Sequence, residues 1–510
     1  MSADNPRSAR VVDGPPGPWI NKHQNVVQEF DRLYSVLNPP RPVANFFDDL
    51  KLTVAALQGL IGDAIRDKVT LRAVGGGWSL SHAAVTNGRL IDTLGLNWAF
   101  PADASSVAAE YKGDPALLMY LQCGVSVKEA NDILSAQPTK LALKTSGASN
   151  GQSIVGAVAT GTHGSRFRFG SMQDFVVGMH IITGPDRAIW LERASYPVLS
   201  DGLIAVLGAE VVRDDTQFNA ALVSFGSFGI IHGLLLEAEP LYLLELSRSR
   251  LAIDAPLRHA MQTLDFSRIA MPDPASDPFH FEVVVNPHDA GGGAYVTVMY
   301  QRPYREGYAP PPLSPGGLGP GDDVVAVMGN LVDRLPGLAG KLENLIIPTQ
   351  YPLFQKVLGA PSEIFFSNAD FQKVMSAELG IAMEDAPRVL DLLLAAPEVK
   401  GYPGLLAFRW VKASKALLAF TKFDTTCTIE LPAAYAANTM DYYNAVWQRL
   451  EDAGIPYTLH WGQINNFTPE RVRNMYGPAV DDWIASRNNL LDAPARAVFT
   501  SPFLQQCGLG

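Results

Sequence analysis

Hydrophobic and polar residues follow two different periods in the two parts of the chain. Between residues 40 and 242, helical spacing, as in FFDDLKLTVAALQGLIGDAIRDK, alternates with short apolar strands that end in glycine-rich turns, as in VTLRAVGGGWSLS. From residue 243 onwards, longer runs such as HFEVVVNPH and GGAYVTVMYQR place apolar and polar residues in turn. That alternation is typical of antiparallel strands with one face on a core. The chain is therefore predicted to be an α+β protein with two lobes.

The same patterns divide the chain into four segments. Residues 1–39 are interpreted as a polar N-terminal lead-in, residues 40–242 as a first domain, and residues 243–455 as a second domain built on the antiparallel sheet. The proline and glycine density of residues 302–322 predicts an exposed loop in the second domain. Residues 456–510 have helical spacing with a proline early in each segment, where a missing N–H costs little.

Composition excludes several classes of protein. The 510 residues exceed what one hydrophobic core usually supports, and 47% hydrophobic residues describe an ordinary globular interior. A formal net charge of -11 offers no basic surface to nucleic acid. The cysteines Cys123, Cys427 and Cys507 form no CxxC pair, which fits a reducing compartment. No apolar run is long enough for a signal peptide or a membrane span, so a cytoplasmic protein without a transmembrane segment is expected.

Two glycine-rich segments carry the clearest chemical signal. Gly75, Gly76 and Gly77 follow a predicted strand, and free N–H groups in such a turn can form a concave anion site, although a plain tight turn explains this cluster as well. The second segment, SGASNGQSIVGAVATGTHGS at residues 146–165, is more specific. Its small and hydroxyl-bearing residues let a backbone lie against a large planar ligand and donate to phosphates. The alternative, a flexible Gly/Ser loop, is disfavoured by the apolar Ile154, Val155 and Val158.

These segments resemble a known family. GGGWSLS and SIVGAVATGTHGS, followed by FVVGMHIIT, FGSFGIIHGLLLEAEPL and, near the C-terminus, LHWGQ, are similar to the vanillyl-alcohol oxidase superfamily of FAD enzymes, most of all to its aldonolactone and alditol oxidase branch. The resemblance implies an FAD-binding domain of PCMH type built from both ends of the chain. It also implies a cap domain in the middle, whose large antiparallel sheet covers the flavin ring.

The resemblance also assigns the cofactor site. It implies that the turn at Gly75–Ser79 holds the pyrophosphate, that residues 146–165 pass along the flavin, and that residues 229–231 approach the adenosine. The residues expected to bind FAD are Gly75, Gly76, Gly77, Trp78, Ser79, Leu80, Ser146, Gly147, Ala148, Gly151, Ser153, Gly156, Thr160, Gly161, Thr162, His163, Gly164, Gly229, Ile230 and Ile231. No metal site is expected.

The sequence departs from the family pattern at the flavin link. Many members carry a histidine in the first turn that bonds covalently to the flavin, and the matching residue here is Trp78. An indole cannot form that bond, so FAD is predicted to be held without a covalent link. Attachment through the nearby His82 is the alternative, although a polar residue at the edge of a turn explains His82 equally simply.

Two charged residues of the family pattern are absent from the catalytic side. In the alditol oxidase branch, a Glu-x-Arg pair on a cap strand and a lysine after His-Trp-Gly position the substrate and stabilise the reduced flavin. Arg409 matches the arginine, but the glutamate position holds Ala407 and the lysine position holds Gln463. These losses put a polyol substrate in doubt. They also leave Arg409 and Gln463 as the candidates that stabilise the reduced flavin.

Four further residues are candidates for the general base or for the partner of Arg409. His280 and Glu282 stand two apart on one predicted strand and so share a face, which is either the inner face of the cap or a solvated one. Glu430 has the same two interpretations. His460 is the best single candidate for the base, because its segment lies beside the flavin in the family and histidine accepts a proton near neutral pH. A structural hydrogen bond is the alternative for His460.

The predicted reaction is hydride transfer from a hydroxyl-bearing or amine-bearing carbon to flavin N5 while a base takes the proton. The expected partners are a small or medium organic substrate and O₂. Gly147, or Ala148 if the alignment slips by one, leaves a path for oxygen to the flavin and favours an oxidase that makes H₂O₂ over a dehydrogenase. An oxidase of a bulky apolar alcohol such as a sterol, suggested by residues 324–348, and an inactive FAD-binding protein are the alternatives.

Overall fold

The structure is a computed structural model. It describes residues 9–15, 17–40, 45–147, 149–311, 340, 344, 347–348, 351–365 and 373–510. The helices and strands within these ranges build an α+β protein with a large antiparallel sheet, which confirms the predicted fold class. No helix in the described residues is both long enough and apolar enough to cross a bilayer.

The strands, numbered in chain order, are β1 Arg10–Asp13, β2 Trp19–Ile20, β3 Val27–Gln28, β4 Arg32–Leu37, β5 Leu71–Val74, β6 Arg89–Asp92, β7 Ala99–Pro101, β8 Leu118–Gln122, β9 Leu141–Ala142, β10 Val176–Ile182, β11 Ala188–Glu192, β12 Glu210–Arg213, β13 Ile230–Glu237, β14 Glu239–Pro240, β15 Tyr242–Leu251, β16 His280–Val285, β17 Ala294–Pro303, β18 Phe354–Gly359, β19 Val374–Ala382, β20 Leu406–Lys412, β21 Thr425–Ala434 and β22 Tyr457–Leu459. The α-helices are Phe46–Asp67, Val127–Ser135, Ile154–Ala159, Asp201–Val206, Asp215–Leu222, Ala255–Thr263, Pro361–Ile364, Ala386–Leu394, Ala437–Asp452, Pro469–Tyr476, Ala479–Leu490, Ala493–Val498 and Pro502–Gln506.

Two sheets form the N-terminal part of the fold. One has the strand order β1-β4-β6-β5, with parallel pairing of β4 to β6 and of β6 to β5, and the other has the order β12-β11-β10-β13-β8-β7. The helix Phe46–Asp67 packs on the first sheet with Leu57 and Ile61 buried. Its first turn is capped by the Asn45 side chain, and it ends at Lys68, whose φ of 56° turns the chain out of the helix.

Within the described ranges, the cap sheet has eight antiparallel strands in the order β18-β15-β17-β16-β20-β21-β19-β22. The helices Ala255–Thr263, Ala386–Leu394 and Ala437–Asp452 cover one face, where the Trp410 indole donates to the Met261 carbonyl at 3.0 Å. The predicted strands HFEVVVNPH and GGAYVTVMYQR lie in its middle as β16 and β17. Because side chains alternate along a strand, the other face of the cap sheet carries His280, Glu282 and Arg409.

The structure differs from the predicted segments at three places. Residues 10–37, interpreted as a lead-in, contribute β1 and β4 to the first sheet. β22, placed by sequence in the C-terminal segment, pairs with β19 of the cap sheet. In the predicted loop 302–322, β17 continues to Pro303, residues 304–311 contain no helix or strand, and residues 312–322 lie outside the described ranges.

The C-terminal helices contact the N-terminal sheets. Trp483 donates from its indole to the carbonyl of Val223 at 3.0 Å, and Phe225 packs against the rings of Trp461, Trp483 and Phe503. These contacts hold the loop before β13 against the end of the chain. The domain boundaries at residues 242 and 455 remain predictions.

Candidate active site

One elongated cavity brings together segments that are far apart in the sequence. It lies where the turn after β5, the glycine-rich residues 147–163 and the loop before β13 meet strands β19, β20 and β21 of the cap sheet. The predicted FAD-binding residues that line it are Gly75, Gly76, Gly77, Trp78, Ser79, Leu80, Gly147, Ser153, Gly156, Thr160, Thr162, His163, Gly229 and Ile231. The predicted catalytic residues that line it are Arg409, Glu430, His460 and Gln463.

Other predicted FAD-binding residues do not line the cavity: Ser146, Gly151, Gly161, Gly164 and Ile230, while Ala148 lies outside the described residues. Ile230 is buried in the core beside the long first helix. A Cβ on Gly164 would lie 2.0 Å from Oγ1 of Thr145, so this glycine is required by a contact within the protein. Gly161 has a φ of 76°, a left-handed backbone conformation that glycine adopts without strain, so its presence needs no contact with a ligand.

The first glycine turn is fixed by direct contact with two other segments. A Cβ on Gly75 would lie 2.2 Å from Oγ of Ser153, so only glycine lets the two glycine-rich segments touch. The N–H of Leu80 donates to the Gly462 carbonyl at 2.8 Å, and the Ser79 hydroxyl donates to the same oxygen at 3.2 Å. The turn, the residues around Ser153 and the LHWGQ segment therefore form one rigid wall.

Trp78, at the position of the family's tethering histidine, is packed on both sides. A Cβ on Gly151 would lie 2.6 Å from the indole carbon Cζ2, so the ring rests on the bare backbone of Gly151. On its other side, Nζ of Lys22 lies 3.9 Å from the ring centroid. The N-terminal segment thereby joins the cavity wall, to which it contributes Trp19 and His23. Sequence analysis missed both residues because it interpreted residues 1–39 as a lead-in.

A charged cluster forms the cap side of the cavity. The Arg409 guanidinium on β20 contacts the Glu430 carboxylate on β21 and lies 3.3 Å from Oε1 of Glu378 on β19. The Ser376 hydroxyl donates to the other Glu430 oxygen at 3.2 Å. Glu430 stands directly opposite Ala407 in the antiparallel register, so the carboxylate missing from the Glu-x-Arg pair comes from the neighbouring strand.

Glu378 and Ser376 are functional candidates that sequence analysis missed. Burial alone would raise the pKa of Glu378, but His163 and Arg409 hold the pKa of this carboxyl at about 2. Nε2 of His163 lies 2.8 Å from Oε1 of Glu378, and Nδ1 lies 2.6 Å from the carbonyl oxygen of Gly164. The signal in the sequence was an acidic residue at an inward position of an apolar strand, the same signal that selected Glu282.

The hydrogen bond of His460 argues against the predicted role of general base. The N–H of Gly462 donates to Nδ1 at 2.9 Å, so the proton of the neutral ring resides on Nε2. Burial lowers the pKa of His460 to about 4, which keeps the ring neutral near pH 7. In this state the Nε2–H of His460 can act only as a hydrogen-bond donor, and Nδ1 is occupied by the N–H of Gly462, so neither nitrogen is free to accept a proton.

His280 and Glu282 share one face of the cap sheet, as their spacing predicts, but they do not line the cavity. Both are fully buried, and Glu282 stands opposite Arg409 in the register, on the side of β20 away from Glu430. Burial lowers the pKa of His280 to about 3 and raises the pKa of Glu282 despite the nearby Arg409 and Arg248. Neither residue lines the cavity, so the geometry adds no support to their predicted catalytic role.

The cavity suits FAD in shape and in charge. Its floor is backbone from two glycine-rich segments, which suits a flat ring system, and the buried Arg72 suits the phosphates. Within the described ranges, no group of three or more histidine, cysteine, aspartate or glutamate residues could hold a metal ion.

Comparison with known proteins agrees with this geometry. A family model for an FAD-binding domain matches residues 53–191. L-gulono-1,4-lactone dehydrogenase of Mycobacterium tuberculosis is 25% identical over 452 residues, 86% of this chain and 90% of that protein. L-gulonolactone oxidase 3 of Arabidopsis thaliana is 33% identical over 129 residues, 25% of this chain and 20% of that protein. The solved cholesterol oxidase from Brevibacterium sterolicum covers 98% of this chain and 97% of its own at a TM-score of 0.68 and 13% identity, a likeness of fold.

The fold, the cavity and the matched domain define an FAD-binding oxidoreductase with an FAD domain and a cap sheet. These comparisons support a flavoprotein similar to the vanillyl-alcohol oxidase superfamily, near its aldonolactone oxidases. Both the family and the cofactor predicted from the glycine-rich segments are confirmed.

Proposed function

We propose that this enzyme oxidises a hydroxyl-bearing carbon of a small polyhydroxylated substrate of the aldonolactone class and passes the electrons to O₂. The observation that carries the proposal is the cluster of Arg409, Glu378, Glu430 and Ser376 on the cap side of the FAD cavity. Arg409 there has two carboxylate partners although the family glutamate is absent. The doubt that Ala407 raised about a polyol substrate is reduced accordingly.

The chemistry of the cluster favours a polar substrate over an apolar one. Sugar hydroxyls both donate and accept hydrogen bonds, so they can pair with carboxylates, a guanidinium and a serine hydroxyl at once. An apolar alcohol such as a sterol would shield these charged groups from water and offer them no hydrogen bond in return, which is costly. The lactone substrates in the names of the sequence relatives support the polar class. Residues 324–348, the basis for a sterol substrate, lie mostly outside the described residues.

Each residue of the cluster has a definite task in the proposed reaction. Bound FAD supplies the hydride acceptor. Glu430 is the part-exposed carboxylate of the cluster, and it takes the hydroxyl proton as the carbon loses its hydride and becomes a carbonyl. Arg409 and Ser376 hold this carboxylate in place from either side. The Nε2–H of His460 and the side-chain amide of Gln463 supply neutral donors in place of the family lysine.

Gly147 supports O₂ as the electron acceptor. It lines the cavity without adding a side chain, and a Cβ at this position would lie only 3.2 Å from Cγ2 of Thr162, so a larger residue would crowd the cavity wall here. The flavin, once reduced by the substrate, would supply the two electrons that with two protons convert O₂ into H₂O₂. A dehydrogenase that uses another acceptor is the alternative, since the sequence relatives include both oxidases and a dehydrogenase.

The test follows the visible absorption band of the purified flavoprotein without air. L-gulono-1,4-lactone, D-arabinono-1,4-lactone, a linear polyol and cholesterol are added in turn, and bleaching identifies the substrate class. We expect bleaching with a lactone or the polyol, followed by rapid recovery of the band and H₂O₂ formation in oxygenated buffer. Bleaching by cholesterol alone would contradict the proposed substrate, and recovery only with an artificial acceptor would contradict the proposed oxidase activity.

Two variants separate the cluster from the rest of the cap sheet. Arg409→Ala is expected to slow bleaching by the reactive substrate at least ~10-fold at unchanged FAD content, because removing one partner of a buried charge pair is costly. Arg302→Ala is the matched control, since Arg302 is also a cap-sheet arginine with two acidic partners but lies outside the cavity. Equal rates in the two variants would remove Arg409 from the proposal.

A further inference from the structure

We propose that Arg72 pairs with the diphosphate of bound FAD. Arg72 lies on β5, three residues before the glycine turn that begins at Gly75, and it is 3% exposed. It lines the cavity together with Ala83, Phe225 and Gly226, a part of the wall that we call the Arg72 end.

The contacts of Arg72 leave its charge without a counterion. Nη1 donates to the Gly226 carbonyl at 3.1 Å, and Nη2 donates to the carbonyls of Ala83 and Phe225. Nε has no hydrogen-bond partner among the described residues, and no ion pair joins Arg72 to an acidic side chain there. Burial and the nearby Arg487 guanidinium lower the pKa of Arg72 to about 10. A buried cation in this state is stabilised by any anion that reaches it.

The other guanidinium in the described cavity wall shows the contrast. Arg409 is contacted by Glu378 and Glu430, whose charges raise its pKa against the effect of burial. Arg72 and Arg409 are the guanidinium groups in the described part of the cavity wall, and Arg72 is the one with carbonyl partners only. A ligand with a dianionic group and an uncharged ring system fits this polarity when its phosphates lie at the Arg72 end.

A second arginine fixes the loop that Arg72 contacts. Nε of Arg487 donates to the Ser227 carbonyl at 2.9 Å, so two guanidinium groups hold the carbonyls of residues 225–227. Phe225 has a φ of 51° and Gly226 a φ of 66°, and a left-handed conformation at a phenylalanine is strained. Because guanidinium groups already bind these carbonyl oxygens, the oxygens do not repel the diphosphate, and the positive charge of Arg72 attracts it.

The experiment displaces FAD from the full-length holoprotein with ADP or with adenosine and measures released FAD by its fluorescence. ADP carries the diphosphate and adenosine does not, so the ratio of their affinities reports the diphosphate site alone. Arg72→Gln is expected to weaken ADP about 10- to 100-fold relative to the wild type and to leave adenosine within about 2-fold. Arg487→Gln is the matched control: Arg487 is equally buried and binds the same loop but does not line the cavity.

Three outcomes decide the proposal. A selective loss of ADP affinity in Arg72→Gln, absent from Arg487→Gln, supports it. An unchanged ADP affinity, or an equal loss for ADP and adenosine, overturns it and leaves Arg72 with a role only in holding the loop. If Arg72→Gln does not fold, Arg72→Lys replaces it: the proposal requires the wild-type ratio of ADP to adenosine affinity because the charge is kept, and a lower ratio overturns it.

Discussion

His180 is buried in a part of the fold that disfavours the protonated form of its imidazole. Replacing it with leucine is predicted to change how the free energy of unfolding depends on pH. It sits on β10 opposite Trp190 and is fully buried. Neither ring nitrogen has a hydrogen-bond partner among the described residues, and the His232 ring lies 5.1 Å away. Burial lowers the pKa of His180 from 6.5 to about 4.

The size of the effect follows from this pKa. In the unfolded chain His180 binds a proton below about pH 6.5, whereas in the folded chain it does so only below about pH 4, so unfolding takes up a proton between these values. Its contribution to folding is therefore undiminished above pH 6.5 and falls as the pH drops towards 4. A pKa difference of about 2.5 corresponds to about 3.4 kcal/mol in full, of which about 2 kcal/mol is lost between about pH 7.5 and pH 5.

The assay is urea unfolding of the holoprotein with saturating FAD at about pH 7.5 and about pH 5, so that ligand binding contributes equally to both proteins. His180→Leu removes the group that cannot be charged in the folded state. The free energy of unfolding of the variant, relative to the wild type, is expected to be about 2 kcal/mol higher at the lower pH than at the higher one. His82→Leu, at an exposed histidine, is the control and should show no such difference.

One result would refute this reasoning. If the wild type and His180→Leu lose the same free energy of unfolding between the two pH values, His180 does not resist protonation in the folded state. His232 is present in both proteins, and its pKa is lowered chiefly by burial and, in the wild type, also by His180.

Three further predictions concern the flavin. Acid precipitation should leave the yellow colour in the supernatant because Trp78 cannot form a covalent link, and a yellow pellet would contradict non-covalent binding. Gly151→Ala should lower the FAD content, the melting temperature and the free energy of unfolding, the last by about 1–3 kcal/mol, because its Cβ would lie 2.6 Å from the Trp78 ring. A fully flavinated variant of wild-type stability would show that the ring can move. Gly147→Val should slow reoxidation by O₂ without changing anaerobic reduction in stopped-flow traces, and equal reoxidation rates would mean that oxygen reaches the flavin by another path.

Local patterns explain why much of the fold was predictable. The long helix Phe46–Asp67 and strands β16 and β17 show their periods within a single stretch of sequence. The two glycine-rich segments were equally visible, because glycine is required where Gly75 and Ser153 touch. Features of this kind depend on neighbours along the chain, which a single sequence contains.

Features that depend on long-range pairing were not predictable in the same way. β4 joins its sheet by parallel pairing with β6, although a long helix and β5 separate the two strands in the sequence. The short run Arg32–Leu37 does not indicate that partner. The position of Trp19 and His23 in the cavity wall follows from this pairing and from the contact of Lys22 with Trp78. Arg72 was missed for a similar reason, since its partners at Phe225 and Gly226 lie far along the chain.

The catalytic cluster shows where strand periodicity stops being informative. Alternation identifies which face of a strand an acidic residue occupies, and by that criterion Glu282, Glu378 and Glu430 are equivalent. Strand order separates them: β16 lies on one side of β20, while β21 and β19 lie on the other, where the cavity is. Arg409 on β20 therefore has the buried Glu282 on one side, and Glu430 and Glu378 on the side of the cavity. Because Glu378 and Glu430 line the cavity and Glu282 does not, a substrate can compete with the first two for Arg409, while the buried Glu282 acts on the guanidinium through its charge alone.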